Sequence, residues 1–170
     1  MFTTDSLPDN PFWDFSARVY ARPGVTDACL RMQDEFGLDV NLLLFCLWSA
    51  AQGPGRLSSD DLAELDQQIS EWQSSTVQPL RAMRRRPRDE LGDELAGFFR
   101  AAMLRAELDA ERVEQELLFL WAGERPREPE IDVPAEAARN LVVYLSRHGV
   151  ATERVAPQLR ALLAAIVGES

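Results

Sequence analysis

Five arginines crowd into eight positions, at 81, 84, 85, 86 and 88, the densest run of one charged residue type in the chain. Arg81, Arg84, Arg85 and Arg88 stand three, four and seven positions apart, so a helix would carry them on one face. Forked guanidinium groups match carboxylates and phosphates. Such a face suits an anionic small molecule or the acidic patch of a protein partner. Asp89, Glu90, Asp93 and Glu94 follow directly. They could neutralise the arginines from within the chain, the common fate of a charged stripe.

Other chemistry-bearing residues are sparse. Asp89 and Asp93 lie four apart and are weak candidates for a metal pair of the kind that facing aspartate motifs form around Mg²⁺ and a diphosphate. A second motif is missing, and acids in the first turn of a helix already complement its dipole. His148 is the single histidine, which excludes di-iron Glu-x-x-His pairs and multi-histidine zinc sites. Its place before Gly149 suits a helix C-terminus. Cys29 and Cys46 sit in apolar helical patterns and read as buried free thiols rather than nucleophiles. No Gly-x-Ser-x-Gly turn, glycine-rich phosphate loop, nucleotide fingerprint or Cys-x-x-Cys occurs. No residue is assigned a catalytic role and no cofactor is expected. Asn41 falls in a first helical turn, where its side chain can bond nearby backbone. Trp13 and Asp14, within Phe12-Trp13-Asp14-Phe15, are a possible partner surface, although aromatics there could equally clamp the N-terminus to the core.

Composition narrows the classes further. The 170 residues carry a net charge of −10, which disfavours nucleic acid and anionic lipid. Residues 1–80 hold four Arg against twelve acids, whereas residues 81–170 hold fourteen against sixteen. All 18 basic residues are Arg, so lysine Schiff-base and phosphate-loop chemistry is excluded. The first ten residues lack the pattern of a secretory signal, and the longest apolar run is far short of a bilayer span. A cytoplasmic protein without membrane insertion is expected.

The elements that must position these residues are helical. Asn10-Pro11 starts the first, which ends near Pro23-Gly24; Pro23 can open the second. Val25, Cys29, Met32 and Phe36 form a single stripe, and Gly37 stops it. Asp39 caps a helix over about 39–52 that is apolar on every side and must therefore be covered on every side. Ser58 starts a fourth, which Pro79 should kink or split and Pro87 should end. A long helical stretch from Asp89 carries Leu91, Leu95, Phe98, Ala102 and Leu108 on its apolar side, with a bend expected near Asp109. Residues 123–134 read as a Pro- and charge-rich linker. Pro134 opens the next helix, which His148-Gly149 closes, and Thr152 caps the last. Nothing alternates with period two. The expectation is a single all-α domain over 1–170, an irregular bundle of about seven to eight helices around the buried one, with residues 1–9 flexible.

The runs Asn10–Ser16, Val19–Val25 and Gly37–Trp48, with Trp72 and Val77–Arg81 after them, resemble an uncharacterised bacterial family, domain of unknown function 2390. The resemblance lies within residues 10–88. It implies a soluble, single-domain bacterial protein and supplies no activity, cofactor or site residue. Two functions fit the residues. The first is a non-enzymatic interaction or adaptor protein that docks an acidic partner on the arginine face. The alternative is an all-α enzyme or binding protein for a phosphorylated or anionic small molecule.

Overall fold

The apolar segment in the first third of the chain is covered from every direction. In the computed structural model, which describes residues 9–123 and 125–167, eleven of the twelve residues of that helix are buried. The described elements in order are α1 (Pro11–Tyr20), α2 (Val25–Phe36), α3 (Val40–Ala51) and α4 (Ser59–Trp72). A π-helical turn (Gln73–Val77) leads into α5 (Gln78–Arg85), and a 3₁₀ turn (Asp89–Leu91) into α6 (Gly92–Gly123). Then come α7 (Val133–Arg147), a second 3₁₀ turn (Thr152–Val155) and α8 (Ala156–Ala165). The fold is all-α, and no strand occurs among the described residues.

α3 is the axis. It packs on α7, α1, α2 and α6, while α8 covers α2 and α5 lies along α6. Phe45 projects into a ring cluster, with its centroid 5.3 Å from Phe12 and 6.0 Å from Trp121. The exit from α3 is held by Asn140, whose amide donates to the carbonyls of Cys46 and Gly55 and whose Oδ1 accepts from the Leu57 amide. Gly53 is obligatory there, because a Cβ would lie 2.8 Å from the Trp48 ring.

Asn10, Asp39, Ser58 and Asp132 cap their helices through side-chain acceptors, which fixes where α1, α3, α4 and α7 begin. Several boundaries differ from the sequence reading. Gly24, with φ +81°, precedes α2, so Pro23 does not open it. α6 runs unbroken through Asp109, and Leu95, Phe98 and Leu108 of its expected apolar side are exposed. Thr152 starts a 3₁₀ turn rather than capping α8. The helix is split next to Pro79, as its position implies. The π turn just before it shifts the hydrogen bonding by one residue, with the Gln78 amide donating to the Gln73 carbonyl. Proline then sits in the first turn of α5, where no amide is required.

The linker after α6 is tied down. The Arg127 guanidinium donates to the carbonyls of Gly53 (2.7 Å) and Ala51 (3.0 Å) and so closes the C-terminal end of α3. Arg125 stacks 3.4 Å over the Trp121 ring. The flexible N-terminus expected for 1–9 falls, but for Asp9, outside the described residues. No described helix is long and apolar enough to cross a membrane.

Candidate functional site

The N-terminus of α3 is the base of a buried polar network. Asp39 accepts from the Leu42 amide at 3.0 Å as a helix cap, and its own amide donates to the Tyr144 hydroxyl at 2.9 Å. Its other oxygen accepts from the Gln73 amide on the π turn, and the same Gln73 nitrogen donates to Glu114 of α6. Gln73, at the end of α4 where the π turn begins, thus stands between two carboxyl groups. Asn41 donates to Glu114 at 3.0 Å and accepts from Gln115 at 2.7 Å. It bonds across the core rather than to local backbone.

Two buried carboxyl groups this close do not both ionise. Burial raises Glu114 to about 9, and the neighbouring Asp39 charge pushes in the same direction. Asp39 is raised as well, first by burial, against the Leu42 amide that favours its anion. The pair therefore holds one proton near neutrality. It rests on Glu114, because Asp39 sits at the positive end of the α3 dipole.

The arginines lie one helical layer away. Arg81 donates to Glu107 at 2.9 Å and to Glu111 at 2.7 Å, and Arg84 also donates to Glu107. Burial works against the Glu107 anion, but the two arginines outweigh it and hold its carboxyl below the usual range. Glu111 is raised by burial despite Arg81. Arg85 faces Asp34 loosely at 3.4 Å across exposed surface.

The expected single arginine face is corrected here. α5 ends at Arg85, and Arg88 lies beyond it, paired with Glu90 at 3.5 Å and stacked on Phe99. The acids that neutralise Arg81 and Arg84 are Glu107 and Glu111, further along α6, and of Asp89, Glu90, Asp93 and Glu94 it is Glu90 that pairs with an arginine, Arg88. Asp89 lies in the 3₁₀ turn before α6 and Asp93 in its first turn, and no described group of three or more ligating side chains could hold a metal. Asp14 is exposed, whereas Trp13 is half-buried under Arg112 at 5.2 Å. Both cysteines are buried, and burial pushes the Cys29 thiol up to about 12 and Cys46 higher still, as unreactive thiols require.

Two hollows flank the network, and Arg81 reaches both. The first, of about 270 Å³, lies between α1, α2, α3, α5 and α6. Trp13, Tyr20, Leu30, Leu44, Leu104 and Leu108 form its apolar walls, and Asn41, Arg81, Arg84, Glu107, Glu111 and Gln115 its polar side. Ser16 and Gln115, each 4 % exposed, also line it. Ser16 Oγ and Gln115 Oε1 find no hydrogen-bond partner among the described residues. The second, of about 580 Å³, is a polar cleft bounded by Asp39, Gln73, Arg85, Tyr144, Asp66 and His148. His148 packs edge-on against Tyr144 at 4.7 Å and faces Asp66 at 3.8 Å.

Sequence reasoning missed Gln73, Glu107, Glu111, Glu114 and Gln115. Their signal was present as acids at spacings of four and three on the inward side of α6, matching the spacing of Arg81, Arg84 and Arg85 on the helix beside it.

No curated protein and no solved structure matches the chain. A family model described as "Protein of unknown function (DUF2390)" matches residues 11–118, which span α1 to α5 and all of α6 that carries the network. The chain belongs to the DUF2390 family.

Proposed function

We propose that this protein binds a small amphipathic anion in the 270 Å³ cavity between α1, α2, α3, α5 and α6. One observation carries the reading: two buried polar atoms without partners, Ser16 Oγ and Gln115 Oε1, belong to residues lining a mostly apolar cavity that also holds three arginines. Unsatisfied buried groups are costly, and a pocket of apolar walls with a few convergent polar groups is the usual form of a ligand site. Arg81 and Arg84 keep unused N–H groups, and with Arg85 they outnumber Glu107 and Glu111 by one charge. The cavity accordingly suits a single negative group, a donor directed at Gln115, and an aliphatic or aromatic body on Trp13 and Leu44. Docking of an acidic protein on an arginine face is less favoured, because Glu107 already engages both Arg81 and Arg84.

The test uses 1-anilinonaphthalene-8-sulfonate, an aryl anion, as the probe. Ala17 lines the cavity from the exposed side of α1, so Ala17→Trp can fill the space without entering the core. Wild type is expected to bind one equivalent saturably, and Ala17→Trp to bind at least about tenfold more weakly with an unchanged circular-dichroism spectrum. Equal binding by the two proteins, or none by wild type, would refute the reading.

A further inference from the structure

The outer half of α6 carries large apolar side chains that nothing in the described structure covers. Leu95 is 62 % exposed, Phe98 72 %, Leu104 42 % and Leu108 46 %. α5 lies along α6, and the first buried residue of α6 is Glu107. On a helix of this pitch Leu95, Phe98, Ala101, Arg105 and Leu108 share a stripe, with Glu94 beside them. Gly97 and Ala101 are exposed, and a Cβ at Gly97 would meet nothing within 4 Å, so a second backbone can approach closely.

The order of residues along this stripe reads the same in both directions. About a point midway between Phe99 and Arg100, Phe98 mirrors Ala101 and Glu94 mirrors Arg105, all four on the same exposed face of α6. Apolar residues mirror apolar ones, and the acid mirrors the base. Glu94 and Arg105 are exposed and form no salt bridge among the described residues. A two-fold axis requires this self-complementarity, since the patch must fit its own copy.

We propose that the protein forms an antiparallel homodimer through this face of α6. Phe98 then packs on Ala101 of the partner subunit, and Glu94 pairs with Arg105 of the partner subunit, twice per dimer. A lipid surface is the poorer occupant, because Asp89, Glu90, Asp93 and Glu94 crowd the same end of the helix and would repel anionic headgroups. The dimer is independent of the cavity reading, although Leu104 and Leu108 at the cavity rim join the two features.

Sedimentation equilibrium of the full chain tests it. Wild type is expected to show a reversible association to twice the 19.1 kDa chain mass. Phe98→Asp should be monomeric. Glu94→Arg and Arg105→Glu each oppose like charges at two places and should weaken association by at least about tenfold. The double exchange Glu94→Arg/Arg105→Glu should restore it to within about threefold of wild type, which no effect on folding would do. A single 19.1 kDa species up to roughly 100 µM overturns the proposal. So does a dimer indifferent to Phe98→Asp, or a double exchange no better than the single ones.

Discussion

Arg81 and Arg85 sit one turn apart on the same short helix, yet their surroundings give them opposite importance. Arg81 bridges Glu107 and Glu111 with about four-fifths of its side chain covered, whereas Arg85 meets Asp34 with both side chains about half exposed. Removing one member of a buried pair leaves the other charge desolvated and uncompensated, while exposed pairs contribute little. Urea unfolding should therefore show Arg81→Ala destabilised by about 3 kcal/mol and Arg85→Ala by less than about 0.5 kcal/mol. Equal losses would mean that the α6 acids are solvated. Glu114 gives a pH signature of its own. Its folded pKa, about 9, lies above that of an unfolded glutamate, so the folded state binds the extra proton between roughly pH 4.5 and 9. Stability from this group is full below that window and is lost as pH rises through it, with a limiting slope of about 1.4 kcal/mol per pH unit. Glu114→Gln keeps a neutral donor and acceptor beside Asn41 and Gln73 and should flatten the slope. An unchanged slope between pH 6 and 8.5 would show that Glu114 is already ionised.

Among the elements, α3 is where sequence and structure agree most closely, and the reason is physical. A helix with Leu42, Leu43, Leu44, Phe45, Cys46, Leu47 and Trp48 in succession has no side to show to water, so burial alone decides its place. Caps such as Asn10, Asp39 and Ser58 are readable because a cap needs only local residues. α6 was not readable in the same way. Leu91, Leu95, Phe98 and Leu108 look like a core stripe, but whether a stripe faces the core depends on which neighbour reaches it, and α5 lies on another side. The arginine site suffered the same limit: the pairing of Arg81 with Glu107 spans 26 residues and two helices, beyond what spacing alone encodes. The weight on α3 can be measured directly. Phe45 is wholly buried among Phe12, Trp48 and Trp121, so Phe45→Ala should cost about 3–5 kcal/mol. It should also alter tryptophan fluorescence, since two of its ring neighbours are Trp48 and Trp121. A loss below about 1 kcal/mol would show that the cluster closes over the gap.

Over the whole molecule, burial is distributed unevenly, and both proposed activities lie toward the thin end. α3 and its partner α7 hold the dense part of the core, including Leu141, Tyr144 and Leu145. By contrast α5 contains no buried residue, the turn at Asp89–Leu91 contains none, and α6 has none before Glu107. The stretch from Gln78 to Ala106 is therefore held largely by ion pairs and by its own helical hydrogen bonds. Segments with few buried apolar contacts open without global unfolding. Amides of α3 and α7 should exchange with solvent only through global opening, while those of residues 86–104 should exchange with an opening free energy at least about 2 kcal/mol lower. Uniform protection along α6 in a dilute sample would contradict this distribution of stability. Concentration adds a second dimension to the same measurement. If two copies cover Phe98 and Ala101, protection of 91–108 must rise with protein concentration while that of α3 stays fixed, because mass action stabilises only what the contact closes. A cavity ligand acts elsewhere: it should slow exchange at α1, where Ser16 and Ala17 line the pocket, at any protein concentration. The two effects therefore separate on one exchange map, by position and by which concentration drives them.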